Sequence, residues 1–210
     1  MTFPSSLIRP FGVRDVPLPS GRESAAFDHR AIESGGVPQP VLMENAGRSA
    51  ALILQHLHPR GPVAVVCGSG NNGGDGVVMA RTLASWGRRV RLVDGGGRGV
   101  PRQLLHGWEP PVHQGTEGDD DLLEGAVVVD ALLGTGVLGA VRGPQAEWIT
   151  RINRAGGPVI SLDVPSGVDA DLGRVEGEVV HAALTVAFGW PKLGTLLHPG
   201  RNAVGRLVAV

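Results

Sequence analysis

From residue 20 onward the apolar residues follow two rhythms, one of strands and one of helices. Short runs dominated by valine, leucine and isoleucine occur at Val63–Cys67, Arg89–Asp94, Ala126–Asp130, Pro158–Asp163, Leu184–Phe188 and Arg206–Val210. Their length and β-branched content predict strands buried on both faces. Ser20-Gly-Arg-Glu23 has the spacing of a capping box and predicts a helix to Ser34, stopped by Gly35-Gly36. A second helix is predicted from Pro40 to Leu57, with Leu42, Ala46, Ser49, Ala50, Ile53 and Leu57 on its packing face. A third runs from Asp75 to Trp86 and stops at Gly87, and a fourth starts at Pro144 and ends at Gly156-Gly157. A short helix is expected between Pro101 and Gly107. Strands alternating with helices predict a three-layer α/β fold, a mostly parallel sheet with right-handed crossovers and helices on both faces.

The length of 210 residues suits one such domain, read as residues 20–210. Residues 1–19 hold four prolines and neither rhythm, and are expected to form an N-terminal tail. A formal charge of -1 gives no basic field for nucleic acid, and four Trp, four Phe and no Tyr give little material for stacking bases. No apolar run is long enough to span a membrane and no signal peptide is evident, so a cytoplasmic protein is expected. The one cysteine, Cys67, has no intramolecular disulfide partner and reads as a small buried residue at a strand end. Between Gly95 and Gly125 the rhythm breaks, and the acidic run Asp119–Asp121 reads as a solvated loop or helix start.

Candidate chemistry lies just after the strands, where parallel sheets bind ligands and helix N-termini offer free amides to anions. After the first strand comes Gly68-Ser-Gly-Asn-Asn-Gly-Gly-Asp-Gly76, in which Gly68, Gly70 and Gly73 satisfy the dinucleotide fingerprint and Asp94 sits where a ribose-binding acid would. Asn71, Asn72 and Asp75 add polar side chains which that fingerprint does not require. Asn72 is expected to coordinate a cation or orient a substrate, the alternative being a local turn hydrogen bond. A second loop begins at Asp130 and continues through Gly134, Thr135, Gly136, Val137, Leu138, Gly139 and Ala140. The third is Asp163-Val-Pro-Ser166-Gly167. Two acids ending strands on one edge are hard to explain as packing, because buried carboxylates are rare unless paired or metal-bound. Convergence of Asn72, Asp130 and Ser166 would offer hard oxygen donors to an alkali or alkaline-earth ion, leaving Asp163 for proton transfer.

At these residues the chain resembles the NAD(P)H-hydrate epimerase family, the YjeF N-terminal domain family. The resemblance rests on Val41-Leu-Met-Glu-Asn-Ala-Gly-Arg48, Gly70-Asn-Asn-Gly-Gly-Asp-Gly76, Val129-Asp-Ala-Leu-Leu-Gly-Thr-Gly136, Asp163-Val-Pro-Ser-Gly-Val-Asp169 and Phe188-Gly-Trp-Pro-Lys-Leu-Gly194. It implies a Rossmann-like domain that interconverts the R and S forms of hydrated NADH and NADPH. It also implies a potassium ion held at Asn72, Asp130 and Ser166, and a homodimer. Substrate contacts are implied at Asn71, Asn72, Gly73, Gly74 and Asp75, along Gly134 to Ala140, and at Asp163. The chain ends at Val210 without a kinase-like dehydratase domain, so dehydration of the S form is expected from a separate protein.

The hydroxyl of such a substrate sits on a carbon bonded to the ring nitrogen, whose lone pair can expel it and leave a planar iminium ion. An acid that protonates the departing hydroxyl and then serves as base for returning water would lower both barriers, and Asp163 is the candidate. Lys192 reads either as a charge-balancing or phosphate-binding group or as an exposed loop lysine. Two rivals remain. The fingerprint and Asp94 would suit a nicotinamide-dependent oxidoreductase, and the same fold could serve as a non-catalytic nucleotide-binding or protein-interaction module.

Overall fold

The structure, a computed structural model, describes residues 17–105, 107, 112–114 and 122–210. Among the described residues seven strands form one sheet: β1 (Val63–Cys67), β2 (Val90–Asp94), β3 (Val112–Gln114), β4 (Val127–Ala131), β5 (Val159–Leu162), β6 (Leu184–Ala187) and β7 (Arg206–Ala209). Their order is β3-β2-β1-β4-β5-β6-β7, and every neighbouring pair is parallel. The helices are α1 (Gly21–Glu33), α2 (Gln39–Leu57), α3 (Asn71–Ser85), α4 (Pro144–Arg154) and α5 (Arg201–Val204). The three-layer α/β fold expected from the alternating rhythms is therefore present, with a sheet that is parallel throughout.

Strand alternation divides the core between the two faces. Val63, Val65 and Cys67 of β1 pack with Ala50, Ile53 and Leu54 of α2 and with Met79 and Leu83 of α3. The intervening Ala64 and Val66 point the other way, onto Trp148, Ile149 and Ile152 of α4. β1, β4, β5 and β6 are buried at every position, which is why their sequences are largely apolar runs.

Four local results differ from the sequence expectation. On α2 the buried stripe is Gly47, Ala50, Ala51, Ile53 and Leu54, while Leu42, Ala46, Ser49 and Leu57 are only partly buried. The stripe turns toward its smallest residues because α3 crosses there: a Cβ at Gly47 would sit 2.6 Å from the Val78 side chain. The third helix starts at Asn71, not Asp75, so the run Asn71–Asp75 is helical. Glycine's poor helix propensity is overridden by close packing, since a Cβ on Gly73 would fall 1.9 Å from the Gly68 carbonyl oxygen. The stretch after Gly95 contains β3 at the sheet edge, a strand too short to leave a rhythm. The short helix expected at Pro101–Gly107 is a single 3-10 turn, Arg102–Leu104. Asp119–Asp121 and residues 1–16 of the expected tail lie outside the described residues. At the other end of that tail, Pro19 accepts a hydrogen bond from Leu193 N at 2.9 Å.

The capping box forms as its spacing predicts. Glu23 N donates to Ser20 Oγ at 3.1 Å, and Ser20 N donates to Glu23 Oε2 at 2.9 Å.

Candidate active site at the carboxyl edge of the sheet

The strand order sets β1, β4 and β5 side by side, so the loops after them share one edge. Asp130, fully buried, lies in register with Val66 of β1 and Ser161 of β5. Its Oδ2 accepts from Ser161 Oγ at 2.8 Å and from Ser166 N at 2.9 Å. Oδ1 accepts from Ser166 Oγ at 2.5 Å and from Leu132 N at 3.3 Å. Burial pushes the Asp130 carboxyl above its ordinary pKa, and these hydrogen bonds oppose the shift. Asp130 thereby clamps the β5 loop to the β4 loop.

The β1 loop joins the same knot. Asn72 is buried and donates from Nδ2 to the Leu133 carbonyl at 2.7 Å, while Leu133 N donates to Ser166 Oγ at 2.9 Å. Because Nδ2 is committed to a carbonyl, the amide orientation is fixed, and Asn72 Oδ1 is left buried with no hydrogen-bond partner among the described residues. Such an orphaned acceptor is costly unless a donor or cation meets it. Gly68 permits the loops to approach, since a Cβ there would lie 1.9 Å from the Leu132 carbonyl oxygen.

Asp163 is placed differently. It follows β5 with φ of 64°, the one positive φ outside glycine among the described residues. Aspartate tolerates this conformation better than most side chains, and the turn is held by Asp163 N donating to the Val186 carbonyl at 2.7 Å. Asp163 Oδ1 accepts from Phe188 N at 3.1 Å and is ion-paired with Lys192 Nζ. Lys192 also donates to the Phe188 carbonyl at 2.9 Å and is 2% exposed, so the reading of an exposed loop lysine is excluded. Asp163 itself is partly exposed, and no described residue donates to its Oδ2. One oxygen of a partly exposed carboxylate is thus left without a donor from the described residues, beside a buried ammonium.

Asp75 and Asp28 complete the charge cluster. Burial, with the nearby carboxylates of Asp163 and Asp28, raises the pKa of Asp75 well above the ordinary aspartate value, and Lys192 opposes the shift. For Asp28 on α1, desolvation raises the pKa, and Lys192 and Asp163 act on it in opposite senses. Asp28 escaped the sequence reading because it sits in the middle of a helix, without a glycine turn or strand end to mark it.

The loop after β4 lies across these groups. Gly134 rests on Asn72, where a Cβ would come within 3.1 Å of the Asn72 Cβ. Thr135 abuts the start of α1 at Gly21, and Ala140 abuts Gly177. Leu138 is 88% exposed at the rim, with Gly136, Gly139 and Ala140 also exposed and Val137 partly so. On the β1 side Gly73 and Gly74 are buried, and Asn71 is exposed and accepts from Gln39 Nε2 at 3.3 Å. Asp94, the expected ribose-binding acid of the oxidoreductase reading, is 6% exposed and occupied by loop amides. Glu44 is ion-paired with Arg81 of α3 and lies 3.8 Å from Arg48, bracing α2 against α3.

Fold and site together define a Rossmann-like α/β protein with a crevice at the switch point between β1 and β4, where the strand order reverses. The chain belongs to the family described as YjeF-related protein N-terminus, which it matches over residues 39–194. It is 35% identical over 192 residues to an NAD(P)H-hydrate epimerase of Limosilactobacillus fermentum, covering 87% of this chain and 90% of that one. It is also 41% identical over 203 residues to a bifunctional NAD(P)H-hydrate repair enzyme, Nnr, of Thermofilum pendens, covering 88% of this chain and 38% of that one. The chain thus spans about two fifths of the length of the bifunctional relatives it matches. The crystal structure of a yeast protein, YNL200c, superposes with a TM-score of 0.79 at 27% identity, covering 90% of this chain and 86% of that one.

Proposed function

We propose that the protein is an NAD(P)H-hydrate epimerase, an isomerase that interconverts the R and S forms of hydrated NADH and NADPH. The observation that carries the reading is the charge cluster of Asp163, Asp75 and Lys192, with Asp75 one helical turn after the buried Asn72 on α3. One carboxylate is ion-paired, and the pKa of the other acid is raised by burial, which favours its protonated form. The L. fermentum relative named for this activity supports it, since this chain covers 90% of that protein.

In the mechanism the ring nitrogen expels the hydroxyl from the adjacent carbon. Asp75 gives its proton to that hydroxyl, which departs as water, and the C–O bonding pair leaves with it. The Asp163 carboxylate stabilises the resulting iminium cation, an effect that grows where solvent is excluded. Water then adds to the other face, its oxygen pair forming the new C–O bond, and the proton it sheds returns to the Asp75–Asp163 pair. The pair holds one proton before and after. Lys192 keeps Asp163 in place and balances its charge.

The donor set fits a potassium ion, because the orphaned Asn72 Oδ1 lies in a knot of amide, carboxylate and hydroxyl oxygens. Asn72, Asp130 and Ser166 would hold it, and when bound it supplies positive charge that organises the loops and the substrate diphosphate. The first-turn amides of α3 and the Gly134 to Ala140 loop would grip the rest of the substrate. A homodimer, a cytoplasmic setting and a dehydratase that consumes the S form belong to the same reading. No described helix is long and apolar enough to cross a membrane.

The test is chromatographic resolution of R and S hydrates incubated with the purified protein, in potassium buffer and in potassium-free buffer. Accelerated approach to the equilibrium ratio is expected, faster with potassium. A ratio that drifts no faster than the enzyme-free control would overturn the assignment.

A further inference from the structure

The end of β2 bears on which hydrated cofactor the site takes, an inference that rests on the epimerase reading of the crevice. With the reacting ring at Asp163 after β5 and the diphosphate at the α3 amides after β1, an extended dinucleotide continues toward β2. Three strand spacings separate β5 from β2, roughly 14 Å at about 4.8 Å each, which is comparable with the reach from nicotinamide to adenosine ribose.

In dinucleotide-binding sheets an acid at this place accepts from the ribose 2′-hydroxyl, whereas a nearby arginine accommodates a 2′-phosphate. Asp94 occupies the acid's position in sequence but is turned inward. Its Oδ1 accepts from Gly96 N at 3.1 Å and Gly97 N at 3.0 Å, and its Oδ2 accepts from Gly99 N at 2.7 Å. At 6% exposure it has neither a free edge nor access to a ribose. What those bonds build is a tight loop, Gly95-Gly-Gly-Arg-Gly99, packed against the glycine turn after β1: a Cβ at Gly96 would lie 3.3 Å from Ser69 N. Every residue of that loop is glycine except Arg98, which is exposed and makes no hydrogen bond or ion pair with a described residue. Its guanidinium is the one side chain the loop can offer a ligand, and the planar fork suits bidentate contact with a phosphate.

We infer that Arg98 is a specificity-determining residue that binds the adenosine 2′-phosphate, making hydrated NADPH the preferred substrate over hydrated NADH. Steady-state epimerisation of both hydrates by the wild type, Arg98→Ala and Arg98→Lys tests this, together with calorimetric binding of adenosine 2′,5′-bisphosphate and adenosine 5′-monophosphate. The wild type is expected to favour hydrated NADPH by about tenfold or more in kcat/KM, as for a charge-assisted bidentate contact. Arg98→Ala should lose that preference through a higher KM for hydrated NADPH, Arg98→Lys should keep part of it, and the bisphosphate should bind more tightly than the monophosphate only while Arg98 is present. Equal kcat/KM for the two hydrates in the wild type, or a preference that survives Arg98→Ala, overturns the inference and leaves the epimerase reading standing. Absence of turnover on either hydrate, with an Arg98-dependent advantage for the bisphosphate, sinks the epimerase reading and leaves the phosphate contact. Absence of both sinks the two together.

Discussion

Asp130 and Asp163 arise from the same pattern, an apolar strand ending in an acid, yet the β4 end and the β5 end use that acid in opposite ways. Asp130 is fully buried, and donors on Ser161, Ser166 and Leu132 occupy both of its oxygens. Asp163 sits one residue beyond its strand, turned out by a left-handed backbone, with one oxygen anchored and its side chain partly exposed. A strand-terminal carboxylate can therefore be a rivet or a reagent, and the position of the last paired residue decides which. Asp130 is still within β4, so its side chain points into the layer, whereas Asp163 has left β5.

The largest expected effect breaks the rivet. Asp130→Ala strands the Ser161 hydroxyl, the Ser166 amide and the Leu132 amide without an acceptor, and should cost about 3–5 kcal/mol of stability, as unpaired buried polar groups do. Urea unfolding monitored by circular dichroism measures it, and a loss below about 1 kcal/mol would contradict the clamp. Asp163→Asn should do the reverse. Asparagine tolerates the same left-handed conformation and keeps an acceptor oxygen for Lys192 and Phe188, so the loss of stability should stay below that of Asp130→Ala, while epimerisation falls by about a hundredfold or more. Near-normal turnover would remove Asp163 from the chemistry.

Asp75→Asn sharpens the comparison by adding a pH dependence. An acid whose folded pKa is raised binds its proton more tightly in the folded state, so its contribution to stability is complete below the unfolded pKa and is lost as pH rises toward the folded value. Asparagine removes that penalty. The variant should melt above the wild type at pH 7, with the gap closing as pH falls to about 4, the ordinary aspartate range, and with Asp28, Asp163 and Lys192 as the charged groups facing the site. Its epimerase rate should fall and lose the pH dependence that Asp75 imposes. A gap that widens on acidification would show the shift to have the wrong sign.

These contrasts also mark what could be read from the sequence. Strand runs such as Val63–Cys67 were legible because each is buried on both faces, so burial and composition coincide. The helical state of Asn71–Asp75 was hidden, since Gly73 serves a contact with Gly68 and Gly74 one with Met43, both remote from helix propensity. The loop acids were visible as strand ends, but which of them is riveted depends on register against Ser161 and Ser166 across β5. Lys192 could not be settled from its loop, because its burial comes from a partner 29 residues away. Asp28 has no local signal, and only the fold brings α1 to the crevice.

The smallest expected effect separates two ion pairs of similar chemistry. Lys192–Asp163 has side chains 2% and 14% exposed, whereas Arg81–Glu44 has side chains 11% and 37% exposed and ties α2 to α3. Water around Glu44 screens the second pair and can replace the lost carboxylate in a variant. Arg81 is the costlier side, since its Nε is already buried without a partner among the described residues. Glu44→Gln, which keeps an acceptor oxygen in reach of Arg81, should therefore cost at most about 1 kcal/mol and leave epimerisation within about twofold of wild type. A drop in turnover comparable to that of Asp163→Asn would mean that the α2–α3 brace sets the position of Asn72 and Asp75, and that the rigid and reactive halves of the edge are not separable.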